Sequence, residues 1–306
     1  MRAIFWKELS DHFGRKRFLL LYGLVAWGLL WGAVIDIDAV VVTGNGFVFL
    51  DIFTTNRGVP ISLLSFIGFL GPILGIALGF DSINSERTQG TLARLLAQPV
   101  YRDAVFNGKF LAGLFTLAVV LFSMGVGVIG LVMFRVGIAP SAEEVVRLLG
   151  FFAVGVTFLA FWLALSMTAS IFLRTAVASA LVSIGLWIAG TFIVLLLATE
   201  VAERIVPEIE TAEDRAQRFS VEQWISRASP GNLFTEATSI LLDPITGRVL
   251  NPFDTNVTAQ GIDLSTPISA GQSLELVWPH IVALIAMIAI LLALSYVKFM
   301  REEIRA

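Results

Sequence analysis

The side chains of this sequence that could do chemistry crowd between Phe80 and Ala112, in the run FDSINSERTQGTLARLLAQPVYRDAVFNGKFLA, with long apolar stretches on either side. Asp81, Glu86, Arg87, Arg94, Arg102, Asp103 and Lys109 give that run charges of both signs. Such a mixture suits charge-assisted recognition of another protein surface better than bond-making. Catalysis has little to work with elsewhere. The chain has no cysteine and only two histidines, His12 and His280, so it offers no thiolate nucleophile, thiolate metal site, histidine metal cluster or Ser/His/Asp arrangement. No G-x-x-x-x-G-K-[ST] phosphate loop occurs, because the Gly108-Lys109 pair lacks the upstream glycine. The expectation is a non-enzyme that binds no cofactor and no metal of its own.

A helix is needed to present those charges. Leu92, Leu95, Leu96 and Pro99 fall at i, i+3, i+4 and i+7, while Arg87, Thr91, Arg94 and Gln98 form a polar stripe on another face. This spacing predicts an amphipathic helix over 82–99, stopped by Pro99. Two readings stay open: the helix docks on a partner, or its apolar face rests on the chain's own bundle.

The remainder of the chain sets the class. Hydrophobic residues make up 57% and charged residues 15%, with a mean hydropathy of +0.84, far from the balance of a soluble domain. Six runs are long enough to cross about 30 Å of hydrocarbon as helices, at Phe18 to Ile35, Ile61 to Phe80, Phe110 to Phe134, Val145 to Leu173, Ala176 to Thr199 and Val277 to Val297. Runs without alternation exclude a barrel. The predicted fold is an all-α membrane protein, a six-helix bundle forming one transmembrane domain over 1–306. An even number of spans puts both termini on one side. That side carries thirteen Lys and Arg against seven Asp and Glu, and the other eight against seventeen, which makes it cytoplasmic by retention of basic residues. A multi-pass protein of the plasma (inner) membrane follows. The basic face lacks aromatic interleaving, so nucleic acid is not expected as a partner.

Smaller signals fill in the bundle. Gly71, Gly75 and Gly79 form a small-residue stripe that predicts close helix packing. Ser141 followed by Glu144 is a capping box that starts the fourth span. Asp36, Arg135, Arg174 and Glu200 all sit at span ends, and the spans themselves are expected to lack the ionisable groups of a proton or ion path. In residues 1–17, Phe5, Trp6, Leu9 and Phe13 share one helical face and Lys7, Asp11 and Arg15 the other, as in a helix lying in the membrane interface. Residues 200–276 form a long external segment. Its first part places Val201, Ile205, Ile209, Ala212, Ala216 and Phe219 on one helical face broken at Pro207, and its second is a short amphipathic stretch, Leu233 to Leu241, with Asn232 as N-cap. That segment is read either as a lid over a path or as a passive cap.

The wording of the charged run adds a resemblance. Glu86-Arg87, Gly90-Thr91-Leu92, Leu95-Leu96, Gln98-Pro99, Arg102 and Gly108-Lys109-Phe110 resemble the signature of ABC-2-type transporter permeases, the membrane subunits of ATP-driven transporters. Lys7-Glu8-Leu9 resembles the family's interfacial elbow helix, and Ser229-Pro230-Gly231-Asn232-Leu233-Phe234 its external segment before the last span. The chain is loosely similar to the group associated with nitrous-oxide-reductase maturation, from which its longer external segment departs. The resemblance implies a type V exporter-like fold in which residues 81–103 are the cytoplasmic coupling segment. Glu86, Arg87, Gly90, Thr91, Leu92, Leu95, Leu96, Pro99 and Arg102 are then the residues that meet an ATPase subunit. It implies a homodimer served by two such subunits, which hold the ATP and Mg, and a substrate path along the dimer interface. Membrane lipid and an external accessory protein are further expected contacts. Two alternatives stay open: an ion-coupled secondary transporter, and a non-transporting scaffold for envelope protein maturation.

Overall fold

The computed structural model describes residues 2–14, 16, 19, 22–23, 26–28, 31, 47–54, 63–90, 102–207, 211–244 and 268–301. All regular structure among the described residues is helical. In chain order the helices are α1 (Arg2–Gly14), α2 (Val48–Thr54), α3 (Leu63–Gly79), α4 (Asn84–Thr88), α5 (Arg102–Val136), α6 (Ala142–Phe172) and α7 (Ala176–Ile188), which continues through a π-helical turn (Ala189–Ile193) into α8 (Val194–Ile205). Then come α9 (Ala212–Ser226), α10 (Pro230–Leu242) and α11 (Ala270–Met300). Five helical stretches among the described residues are long and apolar enough to cross a membrane: Ile67–Thr88, Asp103–Val136, Ala142–Phe172, Ala176–Ile205 and Ala270–Met300. The chain is a multi-pass membrane protein. Much of the first expected span lies outside the described residues; those described between 16 and 31 are helical, and the Tyr22 hydroxyl lies 3.0 Å from Ser123 Oγ on α5.

Helix α6 is the axis of the bundle, packed against α3, α5, α7, α10 and α11. Its capping box forms as the sequence predicts: Ser141 Oγ accepts from the Glu144 N–H at 3.2 Å, and the Ser141 N–H donates to Glu144 Oε2 at 2.8 Å. The other Glu144 oxygen accepts from the Phe49 N–H at 3.1 Å, which satisfies an orphan donor at the start of α2. Along the glycine stripe, a Cβ at Gly71 would stand 2.9 Å from Leu159 Cδ2. One at Gly75 would stand 2.8 Å from Trp162 Cβ and 3.1 Å from the Leu159 carbonyl, and one at Gly79 2.9 Å from the Leu163 carbonyl. The stripe is thus the seam between α3 and α6 within one chain, where the backbones approach because no side chain intervenes.

Three expectations need correction. The fourth span is not free of charge: Arg147 lies inside it, fully buried. Its guanidinium donates to the Leu241 carbonyl at 3.0 Å, to Ser273 Oγ at 2.9 Å, to the Ile268 carbonyl and to Glu143 Oε1 at 3.0 Å, tying the end of α10 and the start of α11 to α6. The part of 200–276 that is described packs on and into the bundle rather than standing apart from it. The chain turns after α8, and α9 folds back along it, with Thr199 Oγ1 donating to Glu222 Oε1 at 2.9 Å and Arg218 paired with Glu203. Helix α10 then enters the bundle, where Phe234 stacks on Phe158 at 4.4 Å between centroids. Finally, the N-cap of α10 is Ser229, whose side chain accepts from the Asn232 N–H, with Pro230 in the first turn where its missing donor costs nothing. Asn232 instead donates its side-chain amide to the Ser226 carbonyl at 3.1 Å.

Candidate functional site

The site builds up where α1, α4, α5 and the end of α6 meet, at the basic end of the bundle. Helix α3 runs out at Gly79 into a turn, and Ser170 Oγ on α6 accepts from both the Ile83 and Asn84 N–H groups at 3.2 Å. That bond caps the start of α4 from a neighbouring helix. Arg87, one turn later, donates Nη1 to the Leu173 carbonyl at 3.2 Å and Nη2 to the Ile171 carbonyl at 3.1 Å. These are the orphan acceptors at the C-terminal end of α6, where the helix dipole also favours a cation. Arg87 therefore spends its charge on its own chain.

Glu86 does the same on the other face of α4. Its carboxylate lies 2.9 Å from Lys109 Nζ, and Lys109 also donates to Glu8 Oε1 at 2.8 Å. Lys109 is 5% exposed, so one ammonium is shared by two carboxylates from α1 and α4 inside a packed junction. Burial alone would push Glu8 towards its neutral form. The Lys109 charge and hydrogen bond, helped by Lys7 and His12, outweigh it and hold the Glu8 carboxyl below the usual carboxylate range. His12 Nδ1 lies 3.2 Å from Thr116 Oγ1 and fastens the last turn of α1 to α5.

This arrangement turns α1 over relative to a globular-protein reading. Its buried residues are Ile4, Glu8, Leu9 and His12, whereas Trp6 and Phe13 from the apolar face are exposed. The protein-facing side of α1 is the partly charged one; Trp6 and Phe13 point away from the bundle, as suits an interface helix, while Phe5 meets Phe115 of α5 edge-on.

Among the described residues the predicted helix is formed over Asn84–Thr88. Helix α4 ends at Thr88, and Gly90 adopts φ +66° with its N–H donating to the Arg87 carbonyl at 3.1 Å. Glycine takes this left-handed conformation without the steric cost of a Cβ. The single helix expected over 82–99 is thus broken at Gly90. Thr91, Leu92, Leu95, Leu96 and Pro99 lie outside the described residues; α5 begins at Arg102, whose side chain is also outside them. Beside the break, Phe80, Ser85 and Gln89 form a groove with Val177 and Leu181 of α7, both largely exposed. Among the described residues no group of His, Asp and Glu has the arrangement of a metal site.

The sequence reading missed Lys109 as the shared partner of Glu86 and Glu8. The available signal was a charge at an apolar position of each helix: Glu8 shares a face with Ile4 and Leu9, and Lys109 follows Gly108 in a span-like run. It takes the fold to bring the two together.

Comparison with known proteins agrees with this architecture. The family model for ABC-2 family transporter protein matches residues 2–304. Two relatives each carry the name "Probable ABC transporter permease protein NosY". The one from Pseudomonas aeruginosa is 31% identical over 177 residues, which is 54% of this chain and 58% of that protein. The one from Stutzerimonas stutzeri is 31% identical over 137 residues, 43% of this chain and 45% of that protein. The chain thus spans about half the length of the curated relatives it matches.

Proposed function

The chain belongs to the ABC-2 family of transporter proteins, and from that premise we propose that it is the permease subunit of an ATP-binding cassette exporter, working as a homodimer with separate ATPase subunits. The observation that carries the coupling role is the shared Lys109. Through it, any force on the segment that follows Gly90 acts at once on α1, α4 and α5. Arg87 and Ser170 extend the connection to α6. In this reading Glu86, Arg87 and Gly90 position the coupling segment, while Thr91, Leu92, Leu95, Leu96, Pro99 and Arg102 meet the ATPase. ATP and Mg stay on that partner. The basic end is cytoplasmic, with both termini there, in the inner membrane. ATP-dependent closure of the ATPase pair then biases a two-state bundle through its different affinity for the two arrangements.

The test is co-purification with an ATP-binding cassette subunit encoded beside the chain. Leu95→Asp leaves the permease folded, with an unchanged unfolding temperature, but releases the ATPase and abolishes ATP-dependent flux. Normal ATPase binding and normal stimulation of its turnover in Leu95→Asp would remove the coupling assignment. Flux that follows an ion gradient without the ATPase would replace the exporter with a secondary transporter.

A further inference from the structure

Helix α10 is inside out relative to the helices around it. Helix α7 buries its polar residues, Ser179 and Ser183, and exposes Leu181 and Ile188; α11 exposes Val282, Ile285 and Ile290. Those are surfaces that suit hydrocarbon. Helix α10 buries Leu233, Phe234, Ala237, Ile240 and Leu241. Its outward stripe, exposed or half-buried, is Asn232, Thr235 and Ser239, at i, i+3 and i+7, and beside it Glu236, 12% exposed, turns towards α11.

The depth of that stripe makes the pattern costly in lipid. Helix α6 has 31 residues, about 46 Å at the helical rise, of which about 30 Å can lie in hydrocarbon. Phe158, on which Phe234 stacks, stands at its midpoint, whereas Leu241 abuts Gly150 and Arg147 nearer the acidic end. Helix α10 therefore climbs from the middle of the bundle to its acidic end. Glu236 meets His280 at 3.2 Å, and His280 lies ten residues, about 15 Å, inside α11 from Ala270. Arg227 completes the cluster with a bidentate grip on the Glu236 carboxylate, so a carboxylate, a guanidinium and an imidazole are gathered well below the helix ends. Charged and hydrogen-bonding groups at such depth face protein or water, because hydrocarbon offers them no partner.

We propose that the outward stripe of α10 lines a water-filled vestibule, open to the acidic side of the membrane and reaching to about mid-depth, which admits hydrated, hydrogen-bonding solutes. The Glu236–Arg227–His280 cluster forms its wall on the α11 side and keeps the carboxylate compensated. Its use as a path for a transported solute rests on the exporter reading; its accessibility to water does not.

The native chain lacks cysteine, so single substitutions report cleanly. Thr235→Cys and Ser239→Cys are compared with Ala237→Cys, buried on the same helix, and with Ile285→Cys, exposed on α11 at similar depth. The probe is a membrane-impermeant quaternary-ammonium methanethiosulfonate, added from the acidic side of sealed vesicles. It reacts with thiolate, which needs water. Thr235→Cys and Ser239→Cys are expected to react about tenfold or more faster than both comparators. Rates no greater than those of Ala237→Cys and Ile285→Cys overturn the vestibule, whether lipid or a second protomer covers the stripe. Should Thr235→Cys misfold, Asn232→Cys and Ser239→Cys decide. Failure of the exporter reading would appear separately, as loss of ATPase co-purification with the labelling rates unchanged.

Discussion

Removing the Lys109 ammonium should release α1 and α4 without unfolding the bundle. Lys109 Nζ sits 2.8 Å from Glu8 and 2.9 Å from Glu86 and is 5% exposed, so Lys109→Ala leaves two carboxylates facing each other in a space that excludes most water. Deleting one partner of a buried pair costs about 3–5 kcal/mol, and the two pairs here share one ammonium, so the cost is not doubled. That energy corresponds to a shift of about two to nearly four orders of magnitude in the equilibrium between docked and released α1. Glu86→Gln keeps the Glu8 pair and offers an amide oxygen to the lysine, so its cost is smaller, about 1.5–3 kcal/mol. Lys7→Ala is the control: Lys7 is 60% exposed, its contacts at 3.5 and 3.9 Å are loose, and its loss should fall within about 0.5 kcal/mol. The assay is hydrogen exchange in lipid nanodiscs. Lys109→Ala should lose protection in α1 and in residues 84–90 while the core amides of α6 stay protected, and ATPase co-purification should fall with it. Exchange of α1 in Lys109→Ala that matches Lys7→Ala would refute the junction as an energetic unit.

Three further outcomes follow from the geometry. Gly75→Leu should lower thermal stability by about 1–3 kcal/mol or more, since its Cβ meets Trp162 Cβ at 2.8 Å and two backbone atoms of α6 at 3.1 Å, which cannot rotate away; an unchanged unfolding temperature would dismiss the α3–α6 seam. Arg147→Met strands the Leu241 and Ile268 carbonyls and should cost about 3 kcal/mol or more, read as protease sensitivity at the acidic end between α10 and α11. Glu8 has a depressed folded-state pKa, so its contribution is present above the unfolded carboxylate value of about 4.3 and is lost as pH falls through the lower folded value. Protection of α1 should accordingly hold from pH 7 to about pH 5 and fade below about pH 4, and Glu8→Gln should remove that step.

The long helices were legible because lipid leaves the backbone no alternative: a run that crosses hydrocarbon must be apolar and helical over its whole length. The predicted span Val145 to Leu173 accordingly coincides with most of α6 (Ala142–Phe172), overrunning its end by the one residue that is its C-cap. The Ser141–Glu144 cap and the glycine stripe were legible because each is a local spacing rule. The junction was not, since Glu8 and Lys109 are 101 positions apart and either taken alone is an ordinary charge near a membrane. Arg147 was missed for a related reason. Two of its acceptors are backbone carbonyls, which leave no mark in a sequence, and a third, Ser273, lies 126 positions away. That Leu9 on the apolar face of α1 and Glu8 beside it turn into the bundle was not legible, because amphipathicity marks an apolar side without telling lipid from protein. The break at Gly90 escaped because the spacing of Leu92, Leu95 and Leu96 after it cannot register a positive φ.

Taken together these contacts make α6 the member that joins the two ends of the molecule. At the basic end, its last carbonyls hold Arg87 and its Ser170 holds the start of α4. Along its length the glycine seam keeps α3 against it with backbones too close to slide freely. At the acidic end, Arg147 grips the end of α10 and the start of α11 from the same helix. In the proposed coupling, a helix of about 46 Å held at both ends would act as a lever: a small rotation imposed at α4 would carry the α10 and α11 contacts with it. The polar stripe of α10 lies on the element so moved. Under the exporter reading, a bundle of this construction would link what happens beside Gly90 to the width of the proposed vestibule, with hydrogen-bonded contacts at both ends and a packed seam between them.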